Sequence, residues 1–204
     1  MIYFFDFDGT IVDVWKRFYS VFLDAGHITN VSFSDYKKLK LALRKDSYIA
    51  SFFDQVLSND YYEEKKIRLE EYEYLNLDSL LVEPKKLIDF FKKNEAFILS
   101  KRRNKEHLID ELKRLHLDDI IEKTIVLNPD DNISKLDYLK KNISCAFTLI
   151  GDSYEEYEAR VLHNSFIILV NTGLFSFSNE IETKNCRLIK DINCFLEGDI
   201  DYAI

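Results

Sequence analysis

Short, uninterrupted apolar runs recur along the chain, each stopped by a small or acidic polar residue. Ile2-Tyr3-Phe4-Phe5 ends at Asp6, Ala96-Phe97-Ile98-Leu99 at Ser100, and Ala146-Phe147-Thr148-Leu149-Ile150 at Gly151-Asp152. Runs that are continuous rather than alternating predict strands buried on both faces, as in a parallel sheet. Two more strands are expected at Thr124-Ile125-Val126-Leu127 and over 166–170. Helical spacing lies between them. Leu108, Ile109, Leu112 and Leu115 mark a face over 105–115, and a second helix starts near Ser134 with Leu136, Tyr138 and Leu139. Alternating β and α units predict an α/β fold, a doubly wound parallel sheet with a Rossmann-like core. Ligands in such sheets bind outside the carboxyl ends of the strands, where Asp6, Ser100 and Asp152 fall.

The pattern changes after the first strand. Over 14–81 the apolar residues keep helical spacing, as in Phe18, Val21, Phe22 and Ala25, then Tyr36, Leu39 and Leu43, with no convincing strand. This predicts an inserted α-helical cap of about four helices over 14–81, with a core formed by 1–13 and 82–204. The many Tyr and Phe of the insertion are expected to pack inside it. Pro84 suits the first position of a helix running to Lys93. No internal repeat is visible.

Composition narrows the possibilities. With 204 residues, 47% of them hydrophobic, the chain is long enough for one core domain with an insertion. A formal charge of −8 argues against general nucleic-acid binding, which needs a basic surface. It leaves room for a small anionic substrate in a locally basic cleft. No apolar run spans a bilayer and no charged-then-apolar leader opens the sequence, so a cytoplasmic protein without a membrane partner is expected, as a monomer or homodimer. Cys145, Cys186 and Cys194 are odd in number and lack metal spacing, as do His27, His107, His116 and His163.

The chemistry concentrates in Asp6-Phe7-Asp8-Gly9-Thr10-Ile11-Val12-Asp13. Two carboxylates separated by one residue at a strand end point to the same side, and Gly9 permits a tight turn after them. One can attack phosphorus while the other manages the leaving-group proton. A hydroxyl at Ser100, at a strand-to-helix junction, suits a phosphate oxygen. The neighbouring Lys101-Arg102-Arg103 reads as a solvated basic face, one member of which could touch substrate. Gly151-Asp152 closes another apolar strand, with a further acid, Glu156, four residues later.

These motifs, in this order, resemble those of the haloacid dehalogenase-like superfamily, and in particular its phosphoglycolate-phosphatase-like members with a helical cap. The resemblance implies a phosphoric monoester hydrolase acting on a small phosphorylated metabolite. Asp6 would form an aspartyl-phosphate, Asp8 would act as general acid and base, and magnesium would be held by Asp6, the Asp8 carbonyl and Asp152. Ser100 and Thr10 would contact the phosphate. Lys135, at the expected helix start, would neutralise it and fits better than Lys140 or Lys141. Glu156 stands where the family usually has Asp, and an outer-shell role at the metal is expected of it. A phosphomutase or phosphotransferase of the same superfamily, or a non-catalytic binding module retaining the fold, remains open.

Overall fold

A computed structural model describes residues 1–198. Its main sheet has six strands in the order β5-β4-β1-β6-β7-β8, every neighbouring pair parallel. They are β1 (Ile2–Phe5), β4 (Glu95–Lys101), β5 (Thr124–Leu127), β6 (Phe147–Gly151), β7 (Ser165–Val170) and β8 (Cys186–Ile189). The remaining two, β2 (Val12–Asp13) and β3 (Ser79–Leu80), form a separate antiparallel ribbon.

The continuous apolar run of β1 has a direct cause. Phe4 packs into one hydrophobic cluster and Phe5 into another, on opposite faces of the sheet, and both are fully buried. Burying a side chain of this size is worth roughly 1.5–3 kcal/mol, so both faces demand hydrophobes. From β1 the chain moves outward to β4 and β5, then returns to β6 on the other side of β1. The sheet therefore reverses direction at β1, and its ligand crevice belongs at the carboxyl ends of β4, β1 and β6.

Between β2 and β3 lie α1 (Trp15–Gly26), α2 (Phe33–Leu41), α3 (Asp46–Phe52), α4 (Tyr61–Arg68) and α5 (Tyr72–Leu75), five helices where about four were expected. They share a hydrophobic cluster that includes Trp15, Phe22, Tyr36, Ile49 and Tyr61. Phe22, Tyr36, Tyr61 and Tyr74 are buried in it, but Phe33, Tyr48, Phe52, Tyr62 and Tyr72 are exposed, so the expectation that the insertion's aromatics pack inside holds only in part. The β2–β3 ribbon pairs Val12 with Leu80 and Asp13 with Ser79, which brings the two ends of this segment together.

The helices flanking the sheet are α6 (Pro84–Lys93), α7 (Lys105–Arg114), α8 (Lys135–Asn142), α9 (Tyr154–Glu158) and α10 (Ile192–Leu196). Pro84 does open α6, and Ser134 caps α8 in a reciprocal pair with Asp137. Three expectations need correction. The segment 14–81, read as having no convincing strand, contains the two-residue β3. The second strand does not end before Ser100, because Ser100 and Lys101 continue its ladder against Val126 and Leu127. The edge strand β8 was not anticipated. It contains Arg187 and only Cys186 is fully buried, so it lacks the uninterrupted apolar signature. No helix among the described residues is long and apolar enough to cross a membrane.

Candidate active site

Asp6 follows β1 directly, its N–H donating to the Ile150 carbonyl at 2.8 Å. Gly9 turns the chain back with φ +77°, a conformation glycine adopts without steric cost. A Cβ at Gly9 or at Gly173 would also collide with the Asp152 carboxylate. These two glycines thus form a cradle around Asp152.

The structure brings together Asp6, Lys135, Asp152 and Glu156. The Lys135 ammonium, only 4% exposed, lies 2.6 Å from Asp6 Oδ1 and 2.7 Å from Glu156 Oε1. Asp6 Oδ1 also accepts from the Phe7 N–H at 2.8 Å, which fixes the carboxylate's orientation. Glu156 Oε2 accepts from the Ser153 N–H at 3.0 Å and from its hydroxyl, closing a capping box at the start of α9. Both oxygens of Glu156 are therefore engaged.

One ammonium among three buried carboxylates leaves this pocket short of positive charge. Burial pushes the Asp6 carboxyl up to about 7, with Glu156 and Asp8 adding to the effect and Lys135 opposing it. Asp152 is raised well above the usual carboxylate range by burial and then by Asp6 and Glu156. Burial alone would lower Lys135, but Asp6 and Glu156 outweigh it and hold the ammonium charged. Asp6, Asp152 and Glu156 each offer an oxygen within 4.8 Å of the others. An anion-rich, all-oxygen pocket of this size fits a hard divalent cation.

Asp8 lies in the opposite electrostatic setting. Arg102 grips it with Nε at 2.8 Å and Nη2 at 2.7 Å, and Arg17 Nη2 bonds the same carboxylate. Burial would raise Asp8, yet Arg102 and Arg17 outweigh it and hold the carboxyl below its ordinary value. Both arginines are almost wholly buried, whereas the Asp8 side chain keeps 27% of its exposure. Arg102 also meets Glu111 at 3.2 Å, and Arg17 meets Asp78 at 3.1 Å. Arg102 is thus not part of a solvated face, which corrects the reading of Lys101 to Arg103. A fork of five N–H donors can bind two acids at once, and this one does.

Ser100 is buried at the carboxyl end of β4, beside β1. Thr10 is wholly buried, and its hydroxyl has no hydrogen-bond partner among the described residues. Sequence reasoning missed Arg17, Asp78 and Glu111. Two of them carried a signal. Arg17 falls on the buried side of α1 with Val21, and Glu111 stands between Leu108 and Leu112 on the buried face of α7. A charge on an apolar stripe requires a partner.

No family model matches the chain, and neither does any curated protein. Solved structures do. A hydrolase of the haloacid dehalogenase-like family from Streptococcus pneumoniae superposes with a TM-score of 0.68 at 15% identity, over 96% of this chain and 97% of the other. A predicted phosphoglycolate phosphatase from Haemophilus somnus gives 0.65 at 14% identity, over 98% and 97%. Protein tyrosine kinase A of Mycobacterium tuberculosis gives 0.66 at 15%, over 96% of both chains. Identities this low establish the fold alone. The names of these neighbours also span more than one activity, so any function must be argued from the site.

Proposed function

We propose that this protein is a magnesium-dependent phosphatase that hydrolyses a small phosphate monoester through an aspartyl-phosphate on Asp6. The observation that carries this reading is the pairing of Asp6 and Asp8. They stand two residues apart at the reversal point of the sheet, one in a cation-poor pocket with Lys135 and one between two arginines.

In the first step an Asp6 oxygen attacks phosphorus while the departing alkoxide takes a proton from Asp8. In the second, the Asp8 carboxylate removes a proton from water, whose oxygen attacks the aspartyl-phosphate and releases inorganic phosphate. Asp6 is thereby restored. The arginine clamp favours the carboxylate form of Asp8, which the second step needs. A phosphoryl dianion arriving nearby raises the proton affinity of Asp8, which the first step needs. Lys135 neutralises charge on Asp6 and on the transferring group. Ser100 and Thr10 are assigned to the phosphate oxygens.

Asp6, Asp152 and the Asp8 carbonyl would hold the magnesium ion, which supplies neutralisation of the phosphoryl charge. Glu156 acts one shell out, because its oxygens already hold Lys135 and Ser153. Helices α1–α5 serve as the cap, excluding bulk water and supplying the contacts that choose the alcohol. The test is phosphate release across sugar phosphates, nucleotides, phosphoglycolate and phosphoamino acids, with Asp6→Asn alongside. No release from any of them in magnesium would overturn the reading.

A further inference from the structure

Two parts of the α1–α5 segment meet the rest of the molecule differently. One part is strapped to α7. The Glu70 carboxylate accepts from the Arg103 N–H at 2.9 Å and the Asn104 N–H at 2.7 Å, while His107 Nδ1 donates to the Glu70 carbonyl at 2.6 Å. Tyr72 donates to Asp110 at 2.8 Å, and Arg114 donates to the Leu75 and Asp78 carbonyls. Elsewhere, residues 40–45 line an open groove together with Tyr154 and residues 174–178. Among the described residues no hydrogen bond or ion pair joins these walls. The groove has a cavity of about 570 Å³ and an adjoining recess of about 300 Å³, sharing Leu43 and Tyr154.

The recess combines two chemistries. Leu43, Tyr154, Leu174 and Phe175 give it an apolar, partly aromatic floor, and Lys40, Arg44 and Lys45 stand at its edge. Residues 37–45 carry five cations and no acid, in a chain of net charge −8. Lys40 is committed to Asp46 at 3.2 Å, but Arg44 and Lys45 have no acidic partner among the described residues. Glu180 lines the larger cavity and not the recess. Two of the recess's lining residues lie close along the chain to Asp152 of the acid cluster or to a residue that touches it. Leu174 follows Gly173, which abuts Asp152, and Tyr154 stands two residues after Asp152.

Leu43 adds an independent observation. It occupies the left-handed position after α2 with φ +57°, where glycine is favoured, and the Leu43 and Arg44 N–H groups close the turn on the Lys40 and Leu39 carbonyls. A leucine there costs backbone energy, and at 55% exposure it recovers little by burial. Its side chain lines both the groove and the recess.

We propose that this recess binds the alcohol part of the substrate, and that the substrate is a phosphomonoester whose alcohol combines an apolar or aromatic body with a second anionic group. The floor takes the apolar body by area burial, and Arg44 and Lys45 take the carboxylate or second phosphate. The proposal rests on the phosphatase reading, since that reading puts the phosphoryl group at Asp6.

The test compares 4-(carboxymethyl)phenyl phosphate with its neutral carboxamide, which differ in charge and little in leaving group. The same pair is titrated calorimetrically into Asp6→Asn protein, so that the subsite is read without turnover. Wild type should favour the acid by about fivefold in kcat/KM, the scale of an exposed ion pair. The double variant Arg44→Glu, Lys45→Glu should bring the ratio to one or below. The equal charge change at exposed Lys140→Glu, Lys141→Glu should leave it where it was. Leu43→Gly should weaken both ligands and their phenyl parent while leaving thermal stability equal or higher. An acid-to-amide ratio of one in wild type, or a ratio insensitive to Arg44 and Lys45, overturns the subsite even if both compounds are hydrolysed. Selective binding of the acid without hydrolysis of any ester would retain the subsite and overturn the phosphatase reading.

Discussion

Asp6 and Asp8 are separated by one residue, yet their surroundings push them in opposite directions. Asp6 shares one buried ammonium with Glu156 and lies against Asp152, so its carboxyl is raised to about 7. Asp8 receives two guanidiniums and is lowered. Burial acts the same way on both, and the difference is the count of cations. A short β-turn peptide of this sequence would give the two acids almost the same proton affinity. The fold separates them by delivering Lys135 from α8 to one side and Arg17 and Arg102 from α1 and the end of β4 to the other. That separation is what a nucleophile and an acid–base group need in order to work in sequence.

The harshest way to break this arrangement is Asp6→Asn. The amide is nearly isosteric and cannot serve as the anionic nucleophile. Turnover should fall by roughly four orders of magnitude or more, the scale seen when a nucleophile is removed, with the far-ultraviolet dichroism unchanged. Retained phosphate release would remove the covalent step. The cation-poor side should also be sensitive to chelation. We expect activity to vanish in excess chelator and return with magnesium, with calcium a poor substitute because it takes more and longer oxygen contacts. Magnesium should raise the melting temperature of wild type and leave that of Asp152→Asn nearly unmoved, a readout that does not depend on turnover.

On the cation-rich side, Arg102→Met would strip Asp8 of its bidentate partner and leave Glu111 with a buried negative charge. Breaking a buried pair from one end costs about 3–5 kcal/mol, so the urea midpoint should fall markedly. Arg102→Lys keeps the charge but not the fork, and should lie between the two. Equal stability in all three proteins would show the clamp to be incidental. A smaller effect is expected at Glu156. Glu156→Gln still accepts from Ser153 but loses its charge on Lys135, so it should reduce activity or magnesium affinity by roughly 10–100-fold. A magnesium titration superimposable on wild type would demote Glu156 to a helix cap.

How much of this was legible in the sequence follows the same division. The cation-poor side was readable, because each of its residues sits next to an apolar run or at a helix start. Asp6 and Asp152 end strands, and Ser134 flags the helix that carries Lys135. The cation-rich side was largely hidden. Arg102 was visible as one of three consecutive cations, and nothing local distinguishes it from Lys101 or Arg103. What distinguishes it is the alternation of β4, which turns its side chain toward Asp8, and that depends on the strand running through Lys101. Asp78 had no local signal at all, since its burial comes from the return of the chain into β3.

Asp78 offers the finest test of the comparison. It is 3% exposed, and the Arg17 guanidinium lies 3.1 Å from it without making a hydrogen bond, so both of its oxygens are unpartnered as a carboxylate. Burial, reinforced by Asp8 and Glu111 and opposed by Arg17, pushes it up to about 9. A protonated Asp78 can donate to Glu111, whose Oε1 otherwise has no hydrogen-bond partner, and it then makes no ionic claim on Arg17. The consequence for stability has a definite sign. The unfolded chain releases this proton near the ordinary value of 3.8, whereas the folded protein keeps it to about 9. Between those values the folded state binds more protons than the unfolded state, so Asp78 makes stability fall as pH rises. Asp78→Asn keeps the shape and the donor and cannot ionise. Its stability should therefore decline less steeply than wild type between pH 5 and 8.5, with the variant relatively more stable at the upper end. Urea midpoints of the two proteins across that range measure the difference directly, with chelator present so that metal binding does not contribute. Parallel curves would mean that Asp78 is ionised in the folded protein, and that Arg17 is shared between two carboxylates rather than reserved for Asp8.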